Sequence, residues 1–199
     1  MIVLASSSPR RRELLAAAGY SFRVVSPSEG AECGICSRET PPELVFRLAT
    51  QKARDVAERT RAGLVVGCDT VAECCGQILG KPVDRAHARS MLELLRGRRH
   101  HVYSGLVLWR RPDNTLWGDV VKTELVMDPV SDEQLEDYLD TEAWAGKAGA
   151  FGYQDGLDWL QVVQGSESNV VGLPMERLAE LLDGVELQGG WTSPDLEST

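Results

Sequence analysis

The run Leu64-Val65-Val66-Gly67-Cys68 is apolar at every position, with none of the polar alternation of a half-exposed strand. A strand of this kind is covered on both faces, which calls for helices packed on either side of a sheet. The flanking sequence supplies them. Residues 2–5 form a short apolar strand. Ser8 then stands in an N-cap position and Pro9 at N1 of a helix that runs to about residue 18 and is closed by Gly19. Residues 22–25 read as a strand, followed by an acidic, cysteine-bearing loop over 26–39. Thr40-Pro41-Pro42-Glu43 is a capping box that opens a long helix to about residue 61, and the apolar strand after it ends at Asp69. Asp84 caps a helix whose Ala88, Met91, Leu92 and Leu95 follow the helical period until Gly97 stops it. Strands over 102–109 and 117–127 flank the turn Arg111-Pro112-Asp113-Asn114. Ser131 and Gln134 make a second capping box, with Val130 stapling to Leu135, for a helix to about residue 139. Residues 146–156 are glycine-rich and irregular. A strand over 159–163, the loop Ser166-Glu167-Ser168-Asn169 and a helix over about 174–182 complete an α/β pattern, and periodicity is lost beyond Gly189.

With 199 residues, 43% of them hydrophobic, the chain can bury a core without staples. Its net charge of −9 repels nucleic acid polymers, although a small polyanion can bind where the few cations gather in one cleft. The apolar run after Met1 is too short for a signal segment and no stretch approaches a membrane span, so a cytoplasmic protein is expected. Five cysteines, an odd number in such a chain, point to thiols rather than a disulfide framework.

Three places break local structural rules, and such violations call for another explanation. Arg10, Arg11 and Arg12 crowd the first turn of the opening helix, where the helix dipole makes cations unfavourable. Either they are solvated, or an arriving anion reverses the sign, with backbone N–H groups, the hydroxyls of Ser6 to Ser8 and the arginine forks forming a phosphate cradle. Lys52 falls near the centre of the apolar stripe Val45, Leu48, Ala49 and Val56. It must snorkel out, meet a negative partner or serve a ligand phosphate. Asp69 follows the buried strand directly, where ligands and metals gather in α/β sheets, unless it merely caps together with Thr70. Gly80-Lys81-Pro82 lacks the spacing of a P-loop, and there is no Gly-x-Ser-x-Gly elbow. His87, His100 and His101 show no metal-ligand spacing and read as surface or strand-edge histidines; Cys33-x-x-Cys36 with Cys74-Cys75 is an awkward set for tetrahedral zinc.

These residues lie in blocks that resemble the Maf family. The blocks are Leu4-Ala5-Ser6-Ser7-Ser8-Pro9-Arg10-Arg11, Arg47-Leu48-Ala49 with Lys52-Ala53, Gly67-Cys68-Asp69-Thr70-Val71, Gly80-Lys81-Pro82, His100-x-Val102-Tyr103-Ser104-Gly105, residues 146–154 and residues 168–174. They keep the family's order from residue 2 to about residue 182. The resemblance implies a mixed sheet with flanking helices and two lobes around a central cleft, as in ITPase-like proteins. It implies one pyrophosphatase domain over 1–185, a flexible tail over 186–199 and frequent homodimers. It also implies a nucleoside triphosphate pyrophosphatase that uses Mg²⁺ or Mn²⁺.

By the same resemblance Asp69 is the proton acceptor and a metal ligand, and Glu32 is the second acid and ligand, with Glu29 a rival for that place. Lys52 and Lys81 surround the phosphates. Arg10, Thr70 and Gln154 match the type that acts on dTTP and UTP rather than the 7-methyl-GTP type. Asp155 adds an acid where a glycine is more usual. From another class, the competing reading is a regulatory protein of cell division that senses a nucleotide without turning it over.

Overall fold

The computed structural model describes residues 1–31 and 38–187. In chain order its elements are β1 (Ile2–Ala5), α1 (Pro9–Ala17), β2 (Phe22–Val24), α2 (Pro41–Glu58), β3 (Gly63–Cys74), β4 (Gln77–Leu79), α3 (Arg85–Leu95), β5 (Arg99–Arg111), β6 (Leu116–Met127), α4 (Asp132–Asp140), β7 (Leu160–Gln164), α5 (Glu167–Val171) and α6 (Met175–Leu187). Two short 3₁₀ turns, Ala148–Ala150 and Tyr153–Asp155, lie in the glycine-rich segment. The strands form one mixed sheet in the order β2-β1-β3-β5-β6-β7. β1 runs parallel to β2 and β3, and the other pairings are antiparallel.

The expectation that the apolar strand ends at Asp69 is corrected. β3 continues for 12 residues in all, and Asp69 and Thr70 sit in its middle, opposite Gly105 and Ser104 of β5. What ends near Asp69 is the neighbouring strand. Along one edge of β3, β1 pairs with Leu64–Gly67 and β4 pairs with Ala72–Cys74, so among the described residues no strand lies beside 68–71 on that side. The sheet is notched there.

Strand alternation assigns the two faces. On one face α2 packs through Ala49, Ala53 and Val56 against Val3, Val65 and Val107. On the other, Leu64, Val66, Cys68, Leu106 and Leu108 join Leu15 of α1 and Leu178 and Leu182 of α6. Further along the same strands, Ala72, Cys74, Val102 and Leu125 belong to a second cluster with Met91 and Leu92 of α3 and Leu135 and Leu139 of α4. Each fully buried aliphatic side chain contributes about 1.5–3 kcal/mol, so each cluster is a substantial core of its own. The divide between them falls at Thr70 and Ser104, and it opens as the cleft between two lobes.

Gly67 and Gly105 set the distance of α2 from the sheet. A Cβ at Gly67 would strike the Ala49 carbonyl and the Ala53 side chain, and one at Gly105 would strike the Val45 carbonyl. The helix backbone therefore lies directly on β3 and β5.

Other departures from expectation are local. α2 stops at Glu58 rather than residue 61, the short strand β4 was not foreseen, and Ser166 caps a helix, α5, where a loop is expected, by accepting from the Asn169 N–H at 3.2 Å. His100, expected at the surface or a strand edge, is buried at 1% exposure, edge-on to Phe151. Its Nδ1 lies 3.3 Å from the Arg98 carbonyl, and its Nε2 has no partner among the described residues. Burial pushes its pKa down from 6.5 to about 4. Between those values the unfolded chain binds the proton and the folded one does not, so the contribution is complete above pH 6.5 and is lost as pH falls through 4. That loss amounts to about 3 kcal/mol. Urea melts should show this acid sensitivity, and His100→Met should flatten it.

Candidate active site

The notch in β3 opens into a cleft of about 400 Å³. Among the described residues, five cationic side chains, Arg10, Arg11, Lys52, Lys81 and Lys147, line it against one carboxylate, Asp69. In a chain of net charge −9 this is a marked concentration of positive charge. An anionic ligand is what such a field attracts.

Asp69 and Thr70 are successive residues of a strand, so their side chains leave opposite faces of the sheet. Asp69 points toward α2, where Lys52 donates to its Oδ1 at 2.5 Å; the two side chains are 10% and 13% exposed. Lys52 thus takes the negative-partner course among those open to it, and snorkelling is ruled out by its burial. The lysine is carried to this point because Gly67 lets α2 lie against the sheet. The other Asp69 oxygen has no hydrogen-bond partner among the described residues.

Thr70 faces α1 and α5. Its hydroxyl lies 2.7 Å from Ser104 Oγ and accepts from Arg11 Nη2 at 3.2 Å. Arg11 is buried, and it also donates from Nε to the Gly172 carbonyl at 2.7 Å and from Nη1 to Ser6 Oγ at 3.3 Å. The guanidinium is held in place by neutral oxygens, without a carboxylate among these partners. A buried cation so held keeps its charge available to an arriving anion. Ser104, buried between the two apolar clusters, is a member of this network that the sequence reading did not single out. Its pairing opposite Thr70 is a matter of strand register, which no local signal encodes.

At the start of α1, Ser8 occupies the N-cap but its side chain makes no capping bond; its own N–H donates to Ser6 Oγ at 3.1 Å. Arg10 is half-buried and donates from Nη2 to the Gly146 carbonyl at 3.0 Å. Burial, and then the neighbouring Arg11, lower the Arg10 pKa, against the opposing pull of Asp155 and Glu13. Arg12 is exposed and stands outside the cleft lining, so only two of the three arginines match the cradle expectation.

Lys81 follows β4 on the opposite rim, where the Gly80 carbonyl accepts from the Gly149 N–H at 3.0 Å. Gln154 is exposed and lines the cleft from the turn Tyr153–Asp155. Lys147, also missed from sequence, is buried and pairs with Asp155. It lies in a stretch without periodicity, against which a charge cannot look misplaced. Glu32, expected as second acid, lies outside the described residues together with Cys33 and Cys36. Its rival Glu29 is exposed and outside the cleft lining, to which that segment contributes Pro27 and Ser28. The described cysteines 68, 74 and 75 are free thiols, and no group of three metal-binding side chains occurs among the described residues. No described helix is long and apolar enough to cross a membrane.

Residues 1–185 match the family model of the Maf-like protein. The chain is 58% identical over 199 residues to a Rhodopirellula baltica protein named dTTP/UTP pyrophosphatase, covering 99% of this chain and 88% of that one. It is 40% identical over 189 residues to a Geotalea uraniireducens protein of the same name, covering 94% and 95% of the two. Among solved structures, a HAM1 protein from Coxiella burnetii superposes with a TM-score of 0.50 at 15% identity, over 92% of this chain and 98% of that one. At that identity the likeness is one of fold.

Proposed function

The chain belongs to the Maf family, and on that premise we propose that its domain over residues 1–185 hydrolyses dTTP and UTP to the nucleoside monophosphate and pyrophosphate. The observation that carries this reading is the cleft itself, in which one carboxylate held by a buried lysine is surrounded by further cations. Binding a triphosphate needs cations alone; a fixed acid among them is what attack by water requires.

Asp69, oriented by Lys52, positions the attacking water and accepts its proton. Arg10, Arg11 and Lys81 meet the negative charge of the triphosphate and of the departing pyrophosphate. Thr70, bonded to Arg11 and Ser104, holds the arginine rather than reading the base. Gln154 supplies the carboxamide that offers a donor and an acceptor to a pyrimidine edge. The described donor set suits a hard divalent cation of the Mg²⁺ or Mn²⁺ kind, which needs only one or two carboxylates beside phosphate oxygens and water. Asp69 has an oxygen to give, and Glu32 is the proposed second ligand. When bound, such an ion neutralises charge on the phosphoryl oxygens. Neither 7-methyl-GTP preference nor sensing without turnover has an observation in its favour, and the Rhodopirellula baltica and Geotalea uraniireducens relatives share the dTTP/UTP name.

Incubation with a nucleotide panel should give monophosphate and pyrophosphate from dTTP and UTP. Diphosphate and orthophosphate as products would overturn the assignment. A chelator should abolish turnover, and added Mg²⁺ or Mn²⁺ should restore it.

A further inference from the structure

Gln154 is exposed to the cleft, and its carboxamide has no hydrogen-bond partner among the described residues. Its position is therefore set by the backbone that carries it. That backbone is a poor holder. Gly146, Gly149, Gly152 and Gly156 fall within eleven residues, Gly146, Gly149 and Gly156 have positive φ, and Ala150 has φ 63°. Glycines lose the most conformational freedom on ordering, so such a segment needs ties.

The tie closest to Gln154 is the residue after it. Asp155 accepts from Lys147 Nζ through both carboxylate oxygens, at 2.6 Å to Oδ1, and Tyr138 of α4 donates its hydroxyl to Oδ2 at 3.3 Å. The Lys147 and Asp155 side chains are 10% and 20% exposed. Gly152 lies across the pair, and a Cβ there would strike both the Lys147 ammonium and the Asp155 carboxylate. The pair thus closes the segment on itself under a glycine that leaves room for it and fastens it to α4. Burial and the adjacent carboxylate push the Tyr138 pKa up, so the phenol stays a donor.

We propose that Lys147, Asp155 and Tyr138 form a latch that fixes Gln154 in its base-reading position, making Asp155 and Lys147 specificity-positioning residues of the cleft. The latch leaves Lys147 neutralised, so the phosphates are met by the other cations. It acts on the nucleoside end of the substrate and not on the reacting end. This inference rests on the pyrophosphatase reading and adds to it the device that orients the base.

Asp155→Asn keeps the shape of the side chain and removes the charge from the pair. Steady-state kinetics on dTTP, UTP, dATP and GTP should then show KM for the pyrimidine nucleotides rising about tenfold, the scale of one weakened charge-assisted contact, with kcat changed far less. The preference for pyrimidine over purine nucleotides should fall in proportion. Inorganic tripolyphosphate, which carries no base, should inhibit variant and wild type alike. Unchanged discrimination would overturn the latch. So would tighter tripolyphosphate inhibition, because a Lys147 released to bind phosphate would then be a cation of the reacting end. Tyr138→Phe removes a single hydroxyl and should shift KM in the same direction by about twofold. If Asp155→Asn does not fold, an unchanged KM in Tyr138→Phe refutes the proposal by itself. A wild type that cleaves no nucleotide defeats the functional reading and the latch with it, whereas an active wild type with indifferent variants defeats the latch alone.

Discussion

Asp69→Asn is expected to lower kcat at least about a hundredfold, the scale that general-base catalysis supplies. The carboxamide keeps the shape of the acid, and its oxygen can still accept from Lys52, which now reaches Asp69 at 2.5 Å. It can neither take a proton from water nor offer a negative charge to a divalent cation. Folding should persist, with a smaller loss of thermal midpoint than in Lys52→Met, since the buried ammonium loses its counter-charge but keeps a hydrogen-bond acceptor. Pyrophosphate release from dTTP measured beside a melting curve separates the two effects. Near-normal turnover would remove Asp69 from the mechanism.

Lys52→Met should reduce kcat/KM by about tenfold to a thousandfold, the range seen when a preorganised charge is removed from a reacting centre. Here the structure also demands a stability cost. Methionine preserves the length and the apolar stem, but it leaves the Asp69 carboxylate, 13% exposed, without the one hydrogen-bond donor it has among the described residues. Removing one member of a fully buried pair costs about 3–5 kcal/mol, and the cleft's access to water brings the expected value below that range. The double variant Lys52→Met/Asp69→Asn should recover part of the lost melting temperature and none of the activity. Unchanged kinetics in the single variant would mean that Lys52 only shields a buried acid.

Elements with local signals were legible in the sequence. Proline and capping residues mark the starts of α1, α2 and α4, and Asp84 caps α3 by accepting from the His87 N–H at 2.7 Å. Lys52 was legible as an anomaly, because the amphipathic period of α2 defines a stripe in which a charge is out of place. What pairs with it depends on the depth at which the helix sits, and that follows from Gly67 and Gly105 on two strands that are not consecutive. The course of β3 through Asp69 was not legible. Aspartate is depleted in strands, and here it is tolerated because the sheet is notched beside it and a lysine faces it. The burial of His100 and the Thr70–Ser104 contact likewise come from register across β3, β5 and β6. Along β5 itself, His100 shares the parity of Val102, Leu106 and Leu108, and that count would have placed it inward.

β3, β5 and β6 run unbroken from one lobe to the other, and this has a mechanical consequence. Domains that close on their ligands do so about a few flexible residues, and here three hydrogen-bonded ribbons span the place where such a joint would be. The two lobes are parts of one beam, and Asp69 is fastened at mid-span. Swinging the lobes together would require bending the beam, so its stiffness holds Asp69 at a constant height above the floor of the cleft. Substrate entry then falls to the rims, where the glycine-rich segment meets the lysine-bearing hairpin through the backbone bond from Gly149 to Gly80 and the packing of Ala150 and Phe151 beside Leu79.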